Sequence, residues 1–216
     1  MVLCPICNRF KALKMRKQVS QLMEIVCEEH DSFAFVTLTQ PNVPVADMPA
    51  AFERQDKALR RFYEGPVRRS FIGHVTAIEI AIRDDGQSAG VHSHSIVVLH
   101  PDYYSRAHDY YLDNWTLSDL WGHALRADKP VVDIRKVRTD GSQIPRTALA
   151  ELLKYCIKPN FDQETETGFI ASPEVCAMVV KTLYKRRTLR FGGVVADAQR
   201  IFRQRAKNRS QEVSDV

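Results

Sequence analysis

The sequence predicts an α+β domain: a central antiparallel β-sheet with helices packed on one face. Three observations predict it. Stretches rich in β-branched and aromatic residues are interleaved with stretches of helical periodicity. Two of the strands, 75–82 and 92–99, are joined by a polar, Gly-containing loop and read as a hairpin. No internal repeat or low-complexity block interrupts the 216 residues, a length that fits one domain with a real core.

The elements follow in order. Phe10, Leu13, Val19, Leu22, Ile25 and Val26 recur at helical spacing. Phe33 to Thr39 is aromatic and β-branched and stops at Pro41, so it reads as a buried strand. Residues 48–64 place Phe52, Leu59 and Phe62 on one side of a helix and leave Arg60 and Arg61 outside. After the hairpin, a helix is expected over 102–127, with Trp115 and Trp121 read as core residues rather than base-stacking ones. A strand is expected over 130–137 and a helix from Arg146 to Ile157, ending before Pro159. Pro173 opens another helix at an N1-like position, Thr188 to Phe191 forms a short strand ending at Gly192-Gly193, and a basic helix closes the chain. The expected organisation is an N-terminal Cys-x-x-Cys segment over 1–30, a main domain over 31–208 and a flexible tail over 209–216.

Bulk properties narrow the function classes. No apolar run approaches the ~20 residues of a membrane helix, which argues against a bilayer span. The first residues lack a charged n-region followed by an apolar h-region, so a cytoplasmic location is expected. A net charge of +5 favours a polyanionic partner without identifying it. Five cysteines are an odd count and do not resemble a disulfide framework.

Two constellations carry chemistry. His92-Ser93-His94 starts a strand, and side chains two apart project from one face, so both imidazoles can reach one ion. Glu79 lies on the partner strand, and a register with 79 opposite 94 would set its carboxylate beside both. Two imidazoles and a carboxylate with open positions suit a divalent ion that polarises a phosphate oxygen. The alternative is a pair of surface histidines at a strand edge. The second constellation is Glu151-Leu152-Leu153-Lys154-Tyr155-Cys156-Ile157-Lys158. Glu151 and Tyr155 share a helical face, and Lys158 follows one turn later. A phenol with an unperturbed pKa of ~10 needs a cation or base nearby to act as a nucleophile. A plain Glu–Tyr–Lys surface face is the alternative.

The order of these motifs resembles the plasmid rolling-circle replication initiators of the HUH endonuclease superfamily, single-tyrosine branch. Members show a Phe-hydrophobic-Thr-Leu-Thr strand, a His-x-His strand and a Tyr-x-x-Lys helix. Here these are Phe35 to Thr39, His92 to His94 and Tyr155 to Lys158, in that order. Ala77-Ile78-Glu79-Ile80, Val131 to Ile134 and Leu189 to Gly193 resemble further landmarks. The sequence departs from the pattern at Ser93, usually hydrophobic, and at Gly90-Val91, where relatives often have His-Pro.

The resemblance implies an RRM-like nicking domain that cleaves and joins single-stranded origin DNA by transesterification. Tyr155 would be the nucleophile, Glu151 the base that activates water to end the cycle, and Lys158 a stabiliser of negative charge. His92, His94 and Glu79 would hold Mg²⁺ or Mn²⁺. Host helicase and DNA polymerase are the implied partners, and monomer and dimer are both open. Other HUH enzymes, a transposase or a relaxase, are rival readings.

Cys4-x-x-Cys7 with Cys27-x-x-His30 supplies four zinc-type ligands at a spacing close to zinc-ribbon patterns. Structural Zn²⁺ clamping the intervening helix, and a His30 that is only a turn residue, are both open. A zinc-stabilised nucleic-acid-binding protein without catalysis is therefore the remaining alternative.

Overall fold

The computed structural model describes residues 5–83, 85–128, 130–139, 144, 146–154, 160–161 and 172–214. A long helix, α1 (Pro5–Cys27), leads into β1 (Phe33–Leu38), the short β2 (Val43–Pro44) and α2 (Met48–Glu64). The hairpin β3 (Phe71–Ile82) and β4 (Ser88–Leu99) follows, then α3 (Asn114–Leu125) and β5 (Val132–Val137). The chain continues through α4 (Arg146–Lys154), β6 (Asn160–Phe161), α5 (Pro173–Leu183), β7 (Leu189–Gly193) and α6 (Val194–Ser214).

The strands form one sheet in the order β5-β1-β4-β3-β6, with β7 also on β3 and β2 on β4. Every described pairing is antiparallel except that of the two-residue β6 with β3. The α+β class and the central antiparallel sheet are thus as the sequence predicts. The helices, expected on one face, cover both. Ala34, Val36, Leu38, Ile78, Ile80, Val91 and Val97 pack with residues of α2, α3 and α5. Phe33, Phe35, Val75, Ala77, Ile96 and Val98 point the other way and pack with residues of α1, α4 and α6. The reason is legible in hindsight. The central strands are near-continuous apolar runs, so both alternating sets of side chains need cover.

Local chemistry sets the helix ends. The expected 102–127 helix begins only at Asn114, because the Asp113 side chain accepts the Thr116 amide at 2.7 Å as an N-cap. The preceding residues are mostly turns. There Tyr103 is buried and its hydroxyl donates to the Leu112 carbonyl at 3.0 Å. Of the two tryptophans expected in the core, Trp121 is fully buried and donates to the Thr39 carbonyl, whereas Trp115 in the first turn of α3 is 86% exposed. The final helix runs to Ser214, past the expected tail boundary at 208.

α1 is no isolated segment. Val19, Met23, Val26 and Cys27 enter the same core as α4 and α6. Its length also decides the four-ligand zinc arrangement. Cys7 and Cys27 lie at opposite ends of one uninterrupted helix, some twenty residues and so ~30 Å apart, and cannot share an ion within the chain. Cys4 lies outside the described residues. Cys27 is buried, and burial raises its thiol pKa, the opposite of the activation seen in reactive thiols.

Candidate active site

Three adjacent strands build the site. β4 carries His92 and His94, β3 carries Glu79 and β1 carries Thr37. In the ladders Thr37 stands across from His94, and Glu79 stands across from His92 rather than His94. The offset from the expected register is two residues, which leaves Glu79 on the same face because the pleat repeats every two. That face is the one shared by Phe35, Ala77 and Ile96.

Glu79 reaches diagonally. Its Oε2 lies 2.9 Å from Nε2 of His94, and both residues are more than nine-tenths buried. The Thr37 hydroxyl lies 3.2 Å from the other ring nitrogen, Nδ1. With Nε2–H donating to the carboxylate, Nδ1 is left to accept from Thr37, so the ring is held at both nitrogens. Phe35 flanks it, ring centroid to ring centroid 6.1 Å.

His92 is held differently. Its Nε2 lies 3.3 Å from Nη2 of Arg83, which also donates to Oδ1 of Asn42 at 3.0 Å. Its Nδ1 is buried without a hydrogen-bond partner. Burial pushes the His92 pKa below the ordinary imidazole value; the Glu79 charge opposes this, while Arg83 and His94 reinforce it. The ring is therefore neutral at physiological pH, the form in which imidazole binds metals.

Among the described residues, no three His, Cys, Asp or Glu side chains converge on one point as metal ligands. Glu79 and His94 meet each other, and His92 meets Arg83. In donor chemistry the set nevertheless fits a divalent cation: two imidazoles and a carboxylate on one sheet face.

The helix that leads to the expected nucleophile lies on this same face. Leu149, Leu152 and Leu153 of α4 are buried with Phe35, Ala77 and Ile96. Glu151 is exposed and lines a shallow cleft with Phe35, Arg135 and Arg138. Tyr155 and Lys158 lie outside the described residues.

A family model described as Replication protein matches residues 1–215. The chain belongs to the Rep_1 replication-protein family. A protein named Protein rep from Streptococcus pneumoniae serotype 2 is 29% identical over 203 residues, covering 92% of this chain and 61% of that protein. Another Protein rep, from Lentilactobacillus hilgardii, is 25% identical over 213 residues, 92% of this chain and 64% of that one. A third, from Lactiplantibacillus plantarum, is 26% identical over 164 residues, 72% of this chain and 51% of its own. The chain thus spans about half to two-thirds of the length of these relatives. No solved structure matches.

In this member of the family, the departures at Ser93 and Gly90 have local explanations. Ser93 points to the opposite face from its flanking histidines and is fully buried. Nε2 of Gln55, itself fully buried, donates to the Ser93 hydroxyl at 2.9 Å and to the Leu38 carbonyl at 3.1 Å. A polar side chain is tolerated in the core because a helix residue was placed to satisfy it. At Gly90 three side-chain ends crowd the backbone. A Cβ there would lie 2.5 Å from His92 Nε2 and 3.0 Å from both Arg83 Nη2 and Asn42 Oδ1.

Thr37, Arg83 and Asn42 were not singled out from the sequence. Thr37 had a signal: it follows Phe35 by two and so shares its face. Arg83 and Asn42 had none, since loop residues are placed only by the folded hairpin and the strand beside it. The Tyr103 pKa is pushed up to about 12 by burial, which suits a structural hydroxyl and not a nucleophile. Two of the basic side chains between residues 181 and 190 are held by structural contacts. Arg190 pairs with Asp56, and Arg186 donates to the Pro49 carbonyl at 3.0 Å and lies over the Phe52 ring.

No described helix is long and apolar enough to cross a membrane.

Proposed function

We propose that the chain initiates rolling-circle replication of a plasmid by nicking and rejoining single-stranded origin DNA, with Tyr155 as nucleophile. The observation that carries this reading is the placement of α4. The helix ending at Lys154 is buried on the face that also presents His92, His94 and Glu79, in a chain of the replication-protein family.

In the proposed reaction the Tyr155 phenolic oxygen forms a bond to the scissile phosphorus and the P–O3′ bond breaks. The phenol loses one proton and the departing 3′ oxygen gains one, leaving a free 3′-OH and a 5′-phosphotyrosine. Lys158, three residues after Tyr155 in the sequence, would offset negative charge on the phenolate and phosphate. Glu151, four residues before Tyr155 in the sequence, is exposed and can take a proton from water or from an incoming hydroxyl when the adduct is resolved. His92, His94 and Glu79 would hold Mg²⁺ or Mn²⁺, which when bound supplies charge neutralisation at the phosphate. Thr37 fixes the His94 ring, and the Phe35 side chain shields one side of it. A host polymerase would extend the 3′-OH, with a host helicase as the second partner.

The test is direct. The protein is incubated with labelled single-stranded oligonucleotides and Mn²⁺, and a denaturant-resistant adduct is sought. The adduct is expected with the native chain and absent with Tyr155→Phe. DNA affinity without any adduct, unchanged by Tyr155→Phe and indifferent to divalent ions, would instead make the chain a non-catalytic DNA-binding protein.

A further inference from the structure

Arg83 sits where the hairpin begins to turn, and its main chain is tightly placed. Its amide donates to the Ser88 carbonyl at 3.0 Å, and the Asp85 carboxylate accepts the Gln87 and Ser88 amides at 2.8 and 2.9 Å. Gly86 supplies the positive φ of 62° that the turn requires. From this anchored position the guanidinium reaches back along the hairpin to Asn42 and to His92.

A guanidinium only donates hydrogen bonds. At 3.3 Å from Arg83 Nη2, the Nε2 of His92 must therefore be the accepting nitrogen, with its lone pair turned to the arginine. The ring proton of neutral His92 then resides on Nδ1, the atom buried without a partner. A metal ion binds imidazole through the same kind of lone pair. The positive charge of Arg83 and a cation on Nε2 of His92 are thus alternatives for one site. The missing side chain at Gly90 is what lets the arginine in.

We propose that Arg83 is a built-in competitor of the divalent cation, a positioning residue that caps the Nε2 lone pair of His92 and must swing away when a metal is bound there. This role rests on His92 being a metal ligand, as in the preceding reading. Arg83 has somewhere to go. Leaving the ring also releases it from its Asn42 anchor, and once displaced, its charge lies beside the ligand pair, placed to meet a DNA phosphate. Metal and DNA would then load together rather than independently.

Two measurements on the full chain test this. Histidine ¹⁵N–¹H correlation spectra without added metal, at neutral to slightly alkaline pH, should show His92 protonated on Nδ1, with that preference lost in Arg83→Gln. Finding the proton on Nε2 in the native chain overturns the proposal. Mn²⁺ binding, followed by electron paramagnetic resonance, should be about tenfold tighter in Arg83→Gln than in the native chain, the value expected when one charge-assisted hydrogen bond no longer competes. Asn42→Ala, which keeps the charge and loosens only its anchor, should move affinity the same way by a smaller factor. Equal or weaker Mn²⁺ binding by both variants overturns the competition while leaving the ligand reading intact. Mn²⁺ binding by none of the proteins overturns both, and the tautomer spectrum then reports whether the Arg83–His92 contact survives by itself.

Discussion

Glu79 is hydrogen-bonded to His94, at 2.9 Å, although the residue directly across the ladder from it is His92. The carboxylate thus passes the residue opposite and reaches the next position on the same face of β4.

Replacing Glu79 tests that contact. Glu79→Ala leaves a buried imidazole without its acceptor, so a loss of about 1–3 kcal/mol is expected, read as a lower urea midpoint. Mn²⁺-dependent adduct formation should be lost in the same variant. Full stability and full adduct yield would show that the carboxylate serves neither purpose.

Tyr155 and Glu151 should separate in their effects. Tyr155→Phe is expected to abolish nicking, whereas Glu151→Ala should still nick and accumulate adduct because hydrolytic release slows. A roughly 10²-fold or larger fall in release rate is the size usual for a lost general base. Adduct in Tyr155→Phe would assign the nucleophile elsewhere.

The Ser93–Gln55 contact predicts non-additivity. Gln55→Leu removes the shared donor of the Ser93 hydroxyl and the Leu38 carbonyl and leaves them only their own 3.4 Å contact, at a cost of about 1–3 kcal/mol. Adding Ser93→Val should recover part of that loss, since an apolar pair leaves fewer groups unsatisfied. Denaturant titrations of the two single variants and the double give the coupling. Simple additivity would mean the contact contributes nothing of its own.

His74 predicts a pH dependence. Burial pushes its pKa down to about 4, with Arg190 adding to the effect. Its ring stacks on Tyr63 and contacts Thr76, so the folded state favours the neutral form. Below the unfolded pKa of ~6.5 the unfolded chain takes up a proton that folded His74 refuses. Stability from this group is therefore complete above that pH and is lost as the pH falls towards about 4. The slope should approach ~1 kcal/mol per pH unit within that window and flatten in His74→Gln. An unchanged slope in the variant would assign the acid sensitivity to other groups.

Zinc content should not depend on Cys27. Its distance from Cys7 along α1 predicts the same metal analysis for the native chain and Cys27→Ser. Stoichiometric zinc lost on that substitution would require the helix to break.

Much of this was legible beforehand because short-range rules governed it. The apolar alternation of 75–82 and 92–99 marked the hairpin, and the two-residue spacing of His92 and His94 put them on one face. The same rules failed where longer-range contacts decided the outcome. The helix expected from 102 begins at Asn114, because tyrosine packing and the Asp113 cap compete with local helical preference. Trp115 looked like core but faces solvent, since periodicity does not say which stripe of a helix meets the sheet.

The order of motifs along the chain determined the class of protein and its sheet, because alternation and helical spacing are properties of consecutive residues. Tertiary structure decided the rest: which residue stands opposite Glu79, that both sheet faces are covered, and that Arg83, held by Asn42, reaches His92. Those outcomes depend on register and on loop paths that bring Asn42 and Arg83, 41 positions apart in sequence, into hydrogen-bonding distance beside His92. Such distances are set by the summed packing of the whole sheet, which no local window of sequence contains.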